Sequence, residues 1–161
     1  MRGGALPPAL LAAALGFVLS FAPRSAIAPS LAVFVLLGAA VSLVRLDPAW
    51  ADAIFYACWA SLIVTALSVH LTKWLSVAAT VMLAANVGLW AGAVTSVSGV
   101  PLDLGKSLPW ILLFLPGRWL IGRKLGIGLK VVASWLVAVA VLGAALPATT
   151  PTPGYVGDHL E

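Results

Sequence analysis

The chain of 161 residues is 62% hydrophobic and only 9% charged, with a mean hydropathy of +1.10, far from the ~25% charged residues of a soluble domain. That composition excludes a water-soluble fold and points to an all-α membrane bundle. The length leaves room for about five spans of ~20 residues and for no separate soluble domain.

After Arg2, the first apolar run is ALPPALLAAALGFVLSFA. Pro7 and Pro8 suit a helix start, because a proline in the first turn forfeits no intrahelical hydrogen bond. The run also has the outline of a secretory signal peptide ending at Ala26-Ile27-Ala28. Pro29 after the cut and Arg24 before it favour an uncleaved first span. The turn Pro23-Arg24-Ser25 is so short that the first two helices are expected to form an antiparallel hairpin.

The second run ends at Arg45, Asp47, Pro48 and Asp52, whose carboxylates read as turn and helix-cap residues. Third and fourth runs follow, separated by little more than Lys73, and Gly99-Val100-Pro101 stops the fourth. The expected spans are thus about 5–22, 26–44, 53–72, 74–98 and 124–146, in one membrane-embedded unit over 1–147 with a short flexible tail over 148–161.

Five of the nine basic residues lie between Lys106 and Lys130: these two with Arg118, Arg123 and Lys124. Eleven residues separate Lys106 from Arg118, too few for a helix to cross a ~30 Å core, and Pro116-Gly117 is a turn signal. Residues 108–115 are therefore expected to form a short interfacial or re-entrant piece before the last span. The alternative, a full crossing over 108–122, would set Arg118 in lipid at ~2.5–3.5 kcal/mol. Positive charge favours the cytosolic side. With five spans this places the N-terminus in the cytosol and the C-terminus opposite. The richness in Ala, Val, Leu and Gly points to a bacterial inner membrane.

Two small-residue faces stand out. Cys58, Ser61, Thr65, Ser68 and Thr72 share one side of the third span, and Ala85, Gly88, Gly92, Thr95 and Gly99 one side of the fourth. Small faces let membrane helices approach closely, so these two are expected to meet. The other reading makes Ser61, Thr65 and Ser68, with Asn86 at mid-depth, the wall of a polar path.

Seven tryptophans are present. In the five-span arrangement Trp50, Trp110 and Trp119 lie at the cytosolic surface, Trp59, Trp90 and Trp135 lie deeper on that side, and Trp74 is alone opposite. Trp110, Arg118, Trp119, Arg123 and Lys124 are the candidate surface for docking a partner or lipid.

Reactive constellations are not evident. His70 and His159 lack the convergent ligands of a metal or haem site, and no P-loop, nucleophile elbow or Cys-x-x-Cys motif occurs. No metal and no cofactor are predicted. The lone Cys58 reads as a small apolar side chain. The basic residues adjoin apolar runs, where lipid headgroups rather than nucleic acid are the natural counter-charge. The functional expectation is a non-enzymatic accessory or scaffold subunit of a larger inner-membrane complex, bound to lipid and to other membrane subunits or to itself. The alternative is a small channel or transporter.

Overall fold

The computed structural model describes residues 6–98 and 101–145, and among these every regular element is a helix. The elements are α1 (Leu6–Phe21), α2 (Arg24–Ser42), α3 (Ala51–Ser68), α4 (Val77–Ser98), α5 (Pro101–Ile111), α6 (Phe114–Gly122) and α7 (Gly126–Ala145), with single 3₁₀ turns at Pro48–Trp50 and Thr72–Trp74. Four segments are long and apolar enough to cross a membrane: α2, α3 with its preceding turn, α4 and α7. Arg2, Gly99, Val100, His159 and the tail from 148 lie outside the described residues.

A short helix holds the centre. At 16 residues α1 is short for a span, yet it is buried from Pro7 to Ser20 except at Ala9 and Leu10. It packs against α3, α4, α5, α6 and α7. Ala12, Ala13, Ala14 and Gly16 keep its cylinder thin enough for so many neighbours. A helix that is apolar on every side belongs in an interior.

By contrast, α2 and α7 each bury one narrow stripe. In α2 it is Ala26, Ser30, Phe34 and Gly38, and in α7 it is Leu129, Ala133, Leu136 and Ala140. Leu36, Leu43, Val131 and Leu142 point away from the bundle, as side chains do that face lipid.

The expected hairpin of the first two helices does not form. α2 barely touches α1 and lies along α4 instead, in the largest helix pairing of the molecule. Close approach explains this preference. A Cβ at Gly88 would fall 2.8 Å from the Phe34 carbonyl oxygen, and one at Gly92 would fall 2.6 Å from that of Gly38. The seam of α4 thus meets α2 rather than the hydroxyl face of α3, so the expectation that the two small faces meet is corrected.

Contacts along the helices fix their directions. Phe34 and Gly38 match Gly88 and Gly92 in rising order, so α2 and α4 are parallel. Asn86 bonds Ser61 across an antiparallel α3/α4 pair. Trp59 lies on Gly143, while His70 bonds Ser134, so α7 opposes α3. Gly16 faces Ile111, and Ser20 faces Gly117, so α5 and α6 ascend beside α1.

The bundle therefore has two ends. One, the Arg24 end, gathers the α1–α2, α3–α4 and α6–α7 turns. The other, the Asp47 end, holds the α2–α3 turn, the close of α4, the start of α5 and the close of α7. Residues 101–122 form a bent rod that runs from the Asp47 end to the Arg24 end, not a short piece at one surface. In consequence the start of α1 and the close of α7 share an end of the bundle.

The bend has a local cause. Pro116 has no N–H for the Leu112 carbonyl, and proline disfavours helical geometry in the residue before it. Tighter bonds from Leu112 to Pro109 and from Leu115 to Leu112 bridge the gap. Gly117 then continues inside α6 because the Ser20 side chain occupies the space a Cβ would need.

Candidate functional site: the cationic end

Six basic residues collect at the Arg24 end: Arg24, Lys73, Arg118, Arg123, Lys124 and Lys130. The carboxylates among the described residues, Asp47, Asp52 and Asp103, all lie toward the other end. There the Asp47 side chain caps its 3₁₀ turn by accepting from Ala49 N at 2.9 Å. Asp52 stands in the first turn of α3 and is not its cap, which is Trp50. Lys106, grouped with the cationic segment in the sequence, belongs to this second end and bonds Asp103 at 3.3 Å.

Within the cationic end each side chain has a distinct setting. Arg118, half-buried on α6, turns back to α1 and donates from Nη1 to the carbonyl oxygens of Ala22 at 3.0 Å and Leu19 at 3.5 Å. These are carbonyls that the last turn of a helix leaves without intrahelical partners, at the negative end of the helix dipole. Arg118 is thus a structural clamp, tied to the frame.

Arg123 and Lys124 are exposed. The Arg123 guanidinium lies over the Trp119 ring, 4.2 Å from its centroid, a cation–π contact. Lys124 adopts φ 61°, with Lys124 N donating to Ile121 O and Leu125 N to Leu120 O. This is the helix-closing pattern usually completed by glycine. An L-residue there costs about 1–2 kcal/mol. Lys124→Gly should therefore raise stability by about 1 kcal/mol, read from denaturant unfolding in detergent, while removing a cation from the surface.

Trp74 and Trp119 stand out at this end, 77% and 56% exposed. Trp110 does not join them. It sits on α5, nearer the middle of the bundle's length, and shares an apolar groove with Trp135. Trp50 and Trp90 line a second apolar hollow toward the Asp47 end. The expected docking set of Trp110, Arg118, Trp119, Arg123 and Lys124 is thus divided. Trp119, Arg123 and Lys124 form the surface, Arg118 braces it from beneath, and Trp110 is elsewhere. Sequence reading missed Arg24 and Lys73 as members, because their grouping follows from helix direction.

Most polar residues of the interior close on themselves, Ser30 Oγ and Trp59 Nε1 being buried without a partner among the described residues. Thr65 donates to Ser61 O, Ser68 to Thr65 O, Thr95 to Ala91 O and Ser20 to Gly16 O. Across helices, Asn86 Nδ2 donates to Ser61 Oγ at 2.6 Å. Bonds of this kind between membrane helices average ~0.6 kcal/mol. Ser61→Ala should cost about that much in reversible unfolding. His70 Nε2 lies 3.1 Å from Ser134 Oγ and ties the end of α3 to α7. Among the described residues no group of three potential metal ligands comes together.

Comparison with family models, with curated proteins and with solved structures returned no match to this chain.

Proposed function

We propose that the chain is a membrane protein that works by association, as an accessory or scaffold subunit of a larger complex, with the cationic end as its docking face. The observation that carries this reading is the uncompensated charge. Arg24, Lys73, Arg123 and Lys124 crowd one end, and the carboxylates of the described residues lie at the other. Like charges so grouped repel, and with no carboxylate of the described residues at this end an acidic partner surface, or anionic headgroups around it, is the fitting counter-charge. Exposed Trp74 and Trp119 add large, rigid contact area of the kind that anchors interfaces.

In this reading α1, α2, α3, α4, the α5–α6 rod and α7 make six crossings. The cationic end faces the cytosol, in the inner membrane of a bacterium, and both ends of the bundle's chain lie on the far side. The rod of 22 residues rises ~33 Å at 1.5 Å each, enough for a core of ~30 Å. Single cysteines at positions 25, 45 and 124 in a Cys58→Ala background test the arrangement. Positions 25 and 124 should be shielded from an impermeant thiol reagent added outside, and 45 should be labelled. Labelling of 25 and 124 on opposite sides would remove the six-crossing reading.

The association itself is tested by isolation in mild detergent and in native lipid discs. The protein should migrate in a larger assembly that Arg123→Glu with Lys124→Glu disrupts. A monodisperse monomer under all these conditions refutes it. A conducting path along Ser61, Thr65 and Ser68 is the weaker reading, because Thr65 and Ser68 donate to carbonyls of their own helix.

A further inference from the structure

The hollow lined by Trp50 and Trp90 lies between α2, α3 and α4, three of the segments long and apolar enough to cross a membrane. It measures about 410 Å³, within the ~300–1,000 Å³ of small-molecule sites. Its rim is the loop that leads from α2 to α3. Val44 and Leu46 both line the hollow, so Arg45 stands on the rim between two lining residues, and Asp47 follows before Trp50. From that rim the hollow descends along α4 to Trp90 and Leu89. Leu89 lies nine residues short of the close of α4 at Ser98, ~14 Å at 1.5 Å per residue, nearly the half-thickness of a ~30 Å core. Val44, Trp50 and Leu89 are 51%, 64% and 40% exposed, so the hollow opens sideways, toward the lipid chains.

We propose that this hollow is a site for one phospholipid with an ethanolamine headgroup, its acyl chain beside Trp90 and its headgroup across Arg45 and Asp47. Charge is the first argument. Arg45 and Asp47 are both exposed on the rim, two residues apart, and among the described residues no ion pair joins them. A cation and an anion so placed match the phosphate and the ammonium of a single zwitterionic headgroup, and the guanidinium fork suits two phosphate oxygens. Asp47 accepts from Ala49 N at 2.9 Å through Oδ1, which holds the carboxylate at the turn and leaves its second oxygen for the ammonium. A primary ammonium donates hydrogen bonds to that oxygen where a quaternary choline has no N–H to give, and a glycerol headgroup brings no positive charge. Continuity is the second argument. The charged residues belong to the loop that itself lines the hollow, so head and chain of one lipid molecule meet one surface. Trp50 on that rim has the amphipathic ring that settles at headgroup level.

Tryptophan quenching by brominated acyl chains tests the site. The delipidated full chain in detergent is titrated with brominated-chain phosphatidylethanolamine, phosphatidylcholine or phosphatidylglycerol of equal chain length, and quenching at the hollow is the part lost in Trp90→Phe. On that part the wild type should bind the ethanolamine lipid about five-fold more tightly than either of the others, the factor that one charge contributes near a headgroup. Asp47→Asn keeps a side-chain oxygen for Ala49 N and should erase the preference. Arg45→Gln should weaken all three lipids about five-fold. Unchanged helical circular dichroism spectra identify the folded variants. Asp47→Ser, also a capping residue, serves should Asp47→Asn not fold, and Trp50→Phe replaces Trp90→Phe as the reference on the same ground. Equal affinity of the wild type for the three lipids, tighter binding of the glycerol lipid, or a preference that survives loss of the Asp47 carboxylate overturns the site. So does undiminished affinity after Arg45→Gln. The titration reads the Asp47 end and involves no protein partner, so its failure leaves the association reading standing, and the converse holds.

Discussion

Gly92→Ala should separate α2 from α4 and cost more than any other single methyl group added to the bundle. The new Cβ would fall 2.6 Å from the Gly38 carbonyl oxygen and 2.9 Å from Val41 Cβ. The first of these is main chain, so a rotamer change cannot relieve it and one helix must move. Overpacking in a filled interior costs about 1–3 kcal/mol, and here it is concentrated at the pairing that holds α2 almost alone. Reversible unfolding in mixed detergent micelles should register a loss of at least ~2 kcal/mol, with limited proteolysis near Arg45 accelerated. Gly105→Ala is the matched control. Nothing lies within 4 Å of its added Cβ, and exchanging glycine for alanine inside a helix should gain up to ~1 kcal/mol. Equal responses of the two variants would mean that α2 and α4 do not approach as described.

Arg118→Met should be the second costly change, and it acts on the cationic end from beneath. Methionine keeps the stem's apolar contacts and removes the guanidinium, so the carbonyls of Leu19 and Ala22 lose their donor. Hydrogen bonds to a charged group contribute about 1.5–3 kcal/mol, and buried acceptors left without a partner add to the loss. The expected result is a destabilisation of about 2 kcal/mol with faster amide exchange around Ala22 to Ser25. Arg118→Lys should recover part of it, since an ammonium supplies charge without the fork that reaches two carbonyls. A neutral outcome for Arg118→Met would show that the α1–α6 clamp adds nothing in the folded protein.

The all-helical, membrane-compatible character was legible because it depends on composition and run length alone. Which helices pair was not. The brevity of Pro23-Arg24-Ser25 argued for an α1–α2 hairpin, but a short loop constrains only where two helices join, and the closest possible contact decided the rest. Gly88 and Gly92 were recognised as a packing seam, yet nothing in α4 itself records that Phe34 and Gly38, rather than Ser61 and Thr65, fill it.

The course of the α5–α6 rod along the bundle was hidden for a different reason. Counting from Lys106 to Arg118 treated both charges as limits that no apolar core could admit. Arg118 instead finds carbonyl partners at the end of a neighbouring helix that is itself short, and that partner lies 96 residues away in the chain. The basic cluster was visible as a run of residues. Its full membership, with Arg24 and Lys73 added and Lys106 removed, required the direction of every helix.

The position of α1 bears on how the protein is made. A ribosome releases α1 before any of the helices that will enclose it, and the last of its neighbours, α7, emerges more than a hundred residues later. Until then its alanine-lined sides have only lipid, the insertion machinery or a chaperone to rest against. Biogenesis must therefore hold this segment in waiting, and a ribosome-stalled chain ending before α5 should leave α1 open to crosslinking by the insertase that the finished protein excludes.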